Sequence, residues 1–166
     1  MGHLLLAYAT VNSPVGQLAL AAASQGLCRL GIGESAAEVL ADLSPFEVID
    51  SPAELESAMA QLNEYFQGTR RQFDLKFDLG EATDFQAEVY RALCQIPYGE
   101  TRSYAWVARQ IRKPAAARAI GQACRANPLP IFIPCHRVVS AGGKLGGYSS
   151  GLDIKRRLLD LEAIRK

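Results

Sequence analysis

Two adjacent side chains in the segment IFIPCHRVVS, residues 131–140, could do nucleophilic chemistry: the thiol of Cys135 and the imidazole of His136. The thiolate is the reactive form of cysteine, and an imidazole that accepts its proton lowers the thiol's effective pKa. Neighbouring side chains of a regular strand face apart. Pro134, just before them, has no N–H for a central ladder, so the chain is expected to turn there. A base of this kind is usually oriented by a third group, and Glu162 is the best candidate. It follows Leu158 and Leu159 on the inward stripe of the last helix, where an isolated carboxylate is costly to bury. Spacing alone favours a residue at the helix boundary over a member of a Cys-His-Glu set. The other cysteines, Cys28, Cys94 and Cys124, fall in apolar patterns and read as small buried hydrophobes.

The chain around this pair has 166 residues, 49% hydrophobic and 21% charged, which is globular material for one ordinary domain or two small ones. No apolar run approaches bilayer length, and MGHLLLAYAT lacks the basic start and cleavage site of a signal peptide. A cytoplasmic protein is expected, nucleoid-associated if prokaryotic. With two histidines and no CxxC, a zinc site built on His3 and Cys28 lacks two ligands, so neither metal nor cofactor is expected. P-loop, dinucleotide fingerprint and carboxylate cluster are all missing, which argues against nucleotide-dependent and metal-dependent nuclease chemistry. Residues 1–84 carry 4 Lys/Arg against 12 Asp/Glu, while residues 85–166 carry 14 against 5. That division favours a C-terminal half that binds a polyanion over two surfaces that merely attract each other.

The first third reads as hairpins, with LLLAYATV and LALAAA flanking NSPVGQ and LCRLGI following SQG. RQFDLKFDL alternates Phe73, Leu75, Phe77 and Leu79 with polar residues, the period of a half-buried strand. Between them Ser51-Pro52-Ala53-Glu54 is a helix start, followed by Leu55, Met59, Leu62 and Phe66 at helical spacing. The second half reads as helical. A capping box at Thr83-Asp84-Phe85-Gln86 opens a helix with Phe85, Val89, Leu93 and Ile96 inward, ending at Pro97-Tyr98-Gly99. Ser103 caps YAWVARQI, and Pro114 is expected to start AAARAIGQACRAN, giving the layout of a helix-turn-helix. Arg102, Arg109, Arg112, Lys113, Arg118 and Arg125 cluster on it against Glu100. The second helix is rich in alanine and glycine, which suits close approach to something narrow, though for any one alanine a core position is the simpler expectation. A last helix, DIKRRLLDLEAIR, follows the glycine-rich AGGKLGGYSSG. The fold class is α+β: an N-terminal antiparallel sheet with helix over 1–80, ribonuclease H-like, and a helical, catalytic half over 81–166.

A thiol beyond a basic helix-turn-helix suits acceptance of a carbon substituent from a base, since sulfur is a good nucleophile at alkyl carbon. Reaching a base in duplex DNA requires flipping it out of the stack. The segment NPLPIFIPCHRVVSAGGKLGGYSSGLDIKRRLLDLE closely resembles the active-site region of the O6-alkylguanine-DNA alkyltransferases, whose signature is PCHR. The resemblance extends through GETRSYAWVA and PAAARAIGQA, and more weakly to NSPVGQLALAAASQGL. It implies irreversible, single-turnover transfer of an alkyl group from O6-alkylguanine, and from O4-alkylthymine, in flipped-out DNA. Cys135 is then the acceptor, His136 the base through a bridging water, Glu162 its orienting partner and Tyr104 the proton donor to guanine. Asn127 holds the turn from the recognition helix into the active-site strand. Arg118 fills the stack, with Ser103, Ala117, Ala119, Gly121 and Arg125 as further DNA contacts. Tyr148, Ser149, Gly147, Val138 and Pro130 form the substrate pocket. The implied partner is double-stranded DNA, bound through the minor groove by a monomer, with no membrane association. Two rivals remain: a cysteine hydrolase or acyltransferase that turns over, and a DNA-binding module indifferent to Cys135.

Overall fold

Two apolar strands joined by a two-residue turn start the chain in the computed structural model, which describes residues 4–43, 46–48 and 53–164. Strand β1 (Leu4–Ser13) pairs antiparallel with β2 (Gly16–Ala23), and β2 with β3 (Gly26–Ile32). Every residue from Leu18 to Ala23 is buried. A strand that alternates its side chains can do this only if both faces of the sheet are covered. On one face Ala19, Ala21, Ala23 and Leu6 pack against Val39 and Leu40 of helix α1 (Ala36–Ala41). A Cβ on Gly31 of β3 would stand 2.6 Å from Val39 Cγ2, so the glycine permits this close approach. Ser35 and Glu38 form a capping box at the start of α1. That S-x-x-E signal is readable in the sequence, although no helix is expected there from hydrophobic periodicity. Short β4 (Phe46–Val48) adds to the other side of β1 in parallel, also unanticipated.

Helix α2 (Ala53–Gln67) contacts the same sheet and buries Leu55, Leu62 and Phe66 of the expected stripe, together with Ala58 and Tyr65, while Met59 is only half-buried. Each fully buried large apolar side chain contributes about 1.5–3 kcal/mol. The start signal proposed at Ser51-Pro52 lies outside the described residues. The strand expected at RQFDLKFDL does not form a ladder: only Phe77 bridges Leu27. Leu27 makes both backbone bonds of that bridge, N–H to Lys76 O at 2.9 Å and O from Asp78 N–H at 2.7 Å. Upstream, the Gln61 amide takes over the backbone of Asp74, donating at 3.0 Å and accepting at 2.9 Å. A helix side chain thus replaces the neighbouring strand, while Phe73, Leu75, Phe77 and Leu79 stay half-buried as their alternation requires.

The chain divides into two compact units, Met1–Gly80 and Glu81–Lys166. The second opens at helix α3 (Asp84–Leu93), whose Thr83/Gln86 capping box is formed as expected. Val89, Leu93 and Ile96 are buried, Phe85 is only half-buried, and Ile96 lies beyond the helix end. The two-residue β5 (Arg102–Ser103) leads into α4 (Tyr104–Gln110), with Ser103 Oγ accepting the Trp106 N–H at 3.0 Å. Helix α5 (Ala117–Arg125) starts three residues later than Pro114 predicts. Lys113-Pro114-Ala115-Ala116 makes a turn instead, closed by the Ala116 N–H on Lys113 O at 2.9 Å. After it come a 3-10 turn at Cys135–Arg137, β6 (Val138–Val139), parallel to β5, and α6 (Leu152–Ile164). The fold is α+β.

Candidate active site

The opening geometry is resolved by the backbone: PCHR is a 3-10 turn rather than strand, with Pro134 as its N-cap. Cys135, His136 and Arg137 are all buried within one turn, and the run regains strand conformation only at Val138. The turn is held from upstream by Asn127. Its amide donates to Ile133 O at 2.8 Å and to Cys135 Sγ at 3.2 Å, and its Oδ1 accepts the Leu129 N–H at 3.0 Å. Within that loop Ile131 has φ 75°. A β-branched residue in the left-handed region costs about 1–3 kcal/mol, and such strain clusters where a site is over-determined by its surroundings.

Glu162, fully buried on α6, brings the base and the turn together. Its Oε1 lies 2.7 Å from His136 Nε2, and Arg137 donates to the same carboxylate through Nε and Nη2 at 3.0 and 2.9 Å. Arg137 Nη1 also donates to Ile96 O at 2.7 Å, and the Gly99 N–H reaches Glu162 Oε2 at 3.3 Å. The boundary position favoured by spacing is therefore replaced by a completely buried, paired carboxylate. Burial pushes the Glu162 carboxyl upward, but the His136 hydrogen bond and the Arg137 guanidinium outweigh it and hold it well below the usual carboxylate range. Burial holds His136 below the ordinary imidazole range, against the opposing pull of Glu162. His136 is thus neutral, and because a carboxylate only accepts, Nε2 carries the proton and Nδ1 the lone pair. Nδ1 is buried and makes no hydrogen bond to the protein.

The thiol behaves differently from expectation. Burial pushes Cys135 up to about 11, with the Asn127 hydrogen bond and the Lys155 charge only partly offsetting it. In a site this buried the desolvation of a thiolate outweighs a neighbouring neutral imidazole. Cys135 is the inner surface of a cavity of about 90 Å³, also lined by Tyr104, Gly121, Cys124, Arg125, Gly147, Tyr148 and Ser149. Tyr104 and Tyr148 are both shifted upward by burial, and the Tyr148 hydroxyl is buried with no hydrogen-bond partner in the protein. Both phenols are protonated donors at neutral pH. Gly146 (φ +71°) closes the loop against Tyr104: a Cβ there would meet Ser140 Oγ at 2.9 Å. Val138 and Pro130, expected in the pocket, stand outside it. Val138 is buried in β6, with its carbonyl accepting Lys155 Nζ at 2.7 Å, and Pro130 bridges Ile133.

Sequence reasoning missed Lys155 and the pairing role of Arg137. Lys155 is completely buried, and its Nζ donates to Val138 O, to Leu145 O and, at 3.1 Å, to Gly147 O. It fastens the glycine loop that carries Tyr148 and Ser149. The signal was available: a lysine at the i−3 position of the inward Leu158 lies on the buried stripe. None of the three cysteines read as buried hydrophobes is fully buried. Cys94 is exposed, and Cys124 is half-buried in the cavity wall; Cys28 is also half-buried. The alanines of α5 depart from the core expectation too. Only Ile120 and Ala123 turn inward, while Ala117, Arg118, Ala119 and Arg125 are exposed, presenting a shallow surface with two cations.

Comparison with known proteins fits this geometry. The family described as 6-O-methylguanine DNA methyltransferase, DNA binding domain, matches residues 84–164, and its ribonuclease-like domain matches residues 6–79. The chain belongs to the 6-O-methylguanine DNA methyltransferase family. A methylated-DNA–protein-cysteine methyltransferase of Mycobacterium tuberculosis is 45% identical over 161 residues, covering 97% of this chain and 94% of the relative. The Methanosarcina barkeri protein of the same name is 47% identical over 157 residues, 93% of this chain and 96% of its own. A crystal structure described as Mycobacterium tuberculosis OGT in complex with DNA superposes with a TM-score of 0.84 at 45% identity, covering 96% of this chain and 94% of that one. As a member of this methyltransferase family, the chain has the Cys135 turn, cavity and exposed helix α5 together in its DNA-binding-domain match.

Proposed function

We propose that this protein repairs DNA by direct reversal, moving an alkyl group from O6-alkylguanine to Cys135 once per molecule. The observation that carries the reading is the buried thiol at the back of a small cavity walled by phenol, hydroxyl and glycine, with the His136–Glu162–Arg137 cluster behind it. Cys135 loses its proton to His136 Nδ1 through a bridging water, and Glu162 stabilises the imidazolium that forms. The thiolate attacks the alkyl carbon, the C–O6 bond breaks, and its electron pair leaves with guanine. Tyr104 donates a proton to the base and recovers it from the imidazolium side through solvent. The sulfur ends as a thioether, which no residue here can cleave, so turnover is absent. Tyr148 and Ser149 hold the guanine oxygen, and Gly147 gives the base room.

Helix α5 is the DNA-facing element in this reading. Exposed Ala117 and Ala119, with Gly121 half-buried behind them, let its backbone approach a minor groove. Arg118 occupies the gap left by the flipped nucleotide, while Arg125 and Ser103 contact the flanking backbone. The protein acts as a monomer in the compartment that holds the DNA. No helix of the described residues is long and apolar enough to cross a membrane. The division of labour follows the two units, with 81–166 catalytic and DNA-binding and 1–80 ribonuclease H-like.

The test is an intact mass after mixing with excess duplex containing O6-methylguanine, followed by peptide mapping. One added methyl group, on Cys135, saturating at one equivalent, is expected. Cys135→Ala should lose the mass gain and keep lesion binding. Repeated turnover would return the cysteine hydrolase reading, and an unchanged mass with tight binding would leave a recognition module.

A further inference from the structure

The turn between α4 and α5 holds an arginine where the backbone calls for glycine. Arg112 has φ 58° and sits just past the Ile111 C-cap of α4. Its N–H donates to Arg109 O at 3.0 Å, and the Lys113 N–H reaches back to Ala108 O at 2.9 Å, which closes the helix. Glycine adopts this left-handed cap position without steric cost, whereas another residue loses about 1 kcal/mol or more. Strain retained at an exposed position points to a use for the side chain.

The same turn forms one wall of a groove of about 540 Å³, and α3 forms the other. Glu88 and Arg91 on α3, with Gln95 just past its end, face Gln110, Arg112 and Lys113. Lys113 is already engaged: its Nζ lies 2.6 Å from Glu88 Oε2 and 5.4 Å from the centre of the Phe85 ring. Among the described residues neither Arg91 nor Arg112 has an ion-pair partner. The groove therefore offers the guanidinium groups of Arg91 and Arg112 and two side-chain amides, all exposed, beside a single carboxylate, Glu88, that Lys113 already pairs. Guanidinium forks match phosphate oxygens, and amide N–H groups add neutral donors.

We propose that this groove is a phosphate-binding site for duplex DNA, engaging the backbone outside the stretch covered by α5. The inference rests on the DNA-binding reading above. Arg112 stands five residues before Ala117, a span of at most about 18 Å. Duplex DNA carries about one charge per 1.7 Å of axis, so a duplex seated on α5 brings several phosphates within that reach. An arginine at this cap position, where glycine would be less strained, adds a contact that holds the helix-turn-helix on DNA irrespective of sequence.

The experiment measures affinity for an unmodified duplex across a salt series for the wild type, Arg112→Gly and Arg91→Ala. Each substitution is expected to lower affinity several-fold and to reduce the slope of log K against log salt by about 0.9. Arg112→Gly should melt at or above the wild-type temperature, since glycine relaxes the turn. Both variants should react with free O6-benzylguanine at the wild-type rate. Arg112→Gly binding duplex with wild-type affinity and slope overturns the site while leaving DNA binding intact. Direct binding of inorganic phosphate that Arg112→Gly abolishes, with duplex binding unaltered, would mean a small-anion site and also overturn it. A wild type that binds no duplex overturns the DNA-binding reading itself.

Discussion

Replacing Glu162 by glutamine keeps the shape of the side chain and removes its charge, so it tests what the buried carboxylate does. In the wild type Glu162 answers both His136 and Arg137, and Arg137 is itself buried. Removing one partner of a buried ion pair costs about 3–5 kcal/mol, because the other charge is left uncompensated. Glutamine retains one acceptor oxygen, which places the expected loss near the lower end, about 3 kcal/mol. For a chain of this size that lowers Tm by roughly 6–12 °C. The pH dependence gives a sharper signature. The folded carboxyl lies below its unfolded value of about 4.3, so at lower pH the unfolded state takes up a proton that the folded state refuses. The stabilisation from Glu162 is complete above that value and declines as pH falls, by up to about 1.4 kcal/mol per pH unit. Thermal melts of both proteins from pH 7.5 to 3.5 should show a gap that narrows only below about pH 4.5. Exposed carboxylates that are also depressed, Glu38 and Glu88, are common to both proteins and cancel. A gap that is constant across this range, or smaller than about 2 °C at pH 7.5, would refute the assignment of Glu162 as the anion holding the cluster.

Three other outcomes follow from the same geometry. Carbamidomethylation of Cys135 by iodoacetamide in the free protein, followed by peptide mapping, should rise about tenfold per pH unit from pH 8 to 10, and Asn127→Ala should slow it by removing the N–H···S bond. Lys155→Met should destabilise the protein by at least about 1–3 kcal/mol in urea, the cost of leaving the buried Val138 carbonyl without its donor. The same variant should also react poorly with free O6-benzylguanine, because the loop carrying Tyr148 is released. Arg118→Ala should slow reaction with modified duplex far more than with free O6-benzylguanine; equal losses on both would contradict a stack-filling role.

Much of this site was legible because its chemistry is local. Cys135, His136 and the Pro134 break are adjacent, and the capping boxes at Thr83 and Ser35 are written in four-residue patterns, although only the first was read. What escaped the sequence depends on partners distant along the chain. Phe73 to Leu79 has strand periodicity, but whether it forms a ladder is decided by the Gln61 amide from another element. Lys155 looks like a solvated helix charge until the loop carbonyls of Leu145 and Gly147 fold over it. Pro114 is a plausible helix start, yet Arg112 in the left-handed region directs the chain into a further turn before α5 begins. Alanine is equally at home in a core or on a bare face, so only the tertiary position of α5 shows that Ala117 and Ala119 are exposed.

A thiol raised to about 11 presents an apparent conflict with nucleophilic duty, since only about one molecule in ten thousand carries the thiolate at pH 7. The conflict dissolves when the reaction is single-use. A thiol that was ionised in the resting protein would meet oxidants and soluble electrophiles continuously, and every such event would consume a molecule irreversibly. Keeping Cys135 protonated and nine-tenths or more covered, at 5% exposure, reserves it for an electrophile that is itself placed in the cavity. Activation must then be coupled to occupancy. In the proposed transfer a base in the cavity brings the alkyl carbon to the sulfur, and the thiol proton goes to His136 Nδ1, with Glu162 on the opposite ring nitrogen, Nε2, as counter-charge. The buried carboxylate thus contributes little to resting thiolate and much to the charged state reached during transfer. The rate of alkyl transfer in Glu162→Gln should accordingly fall far more than the rate of iodoacetamide labelling, when both are measured below the melting temperature of the variant. Parallel losses in the two rates would mean that Glu162 acts only on the resting thiol.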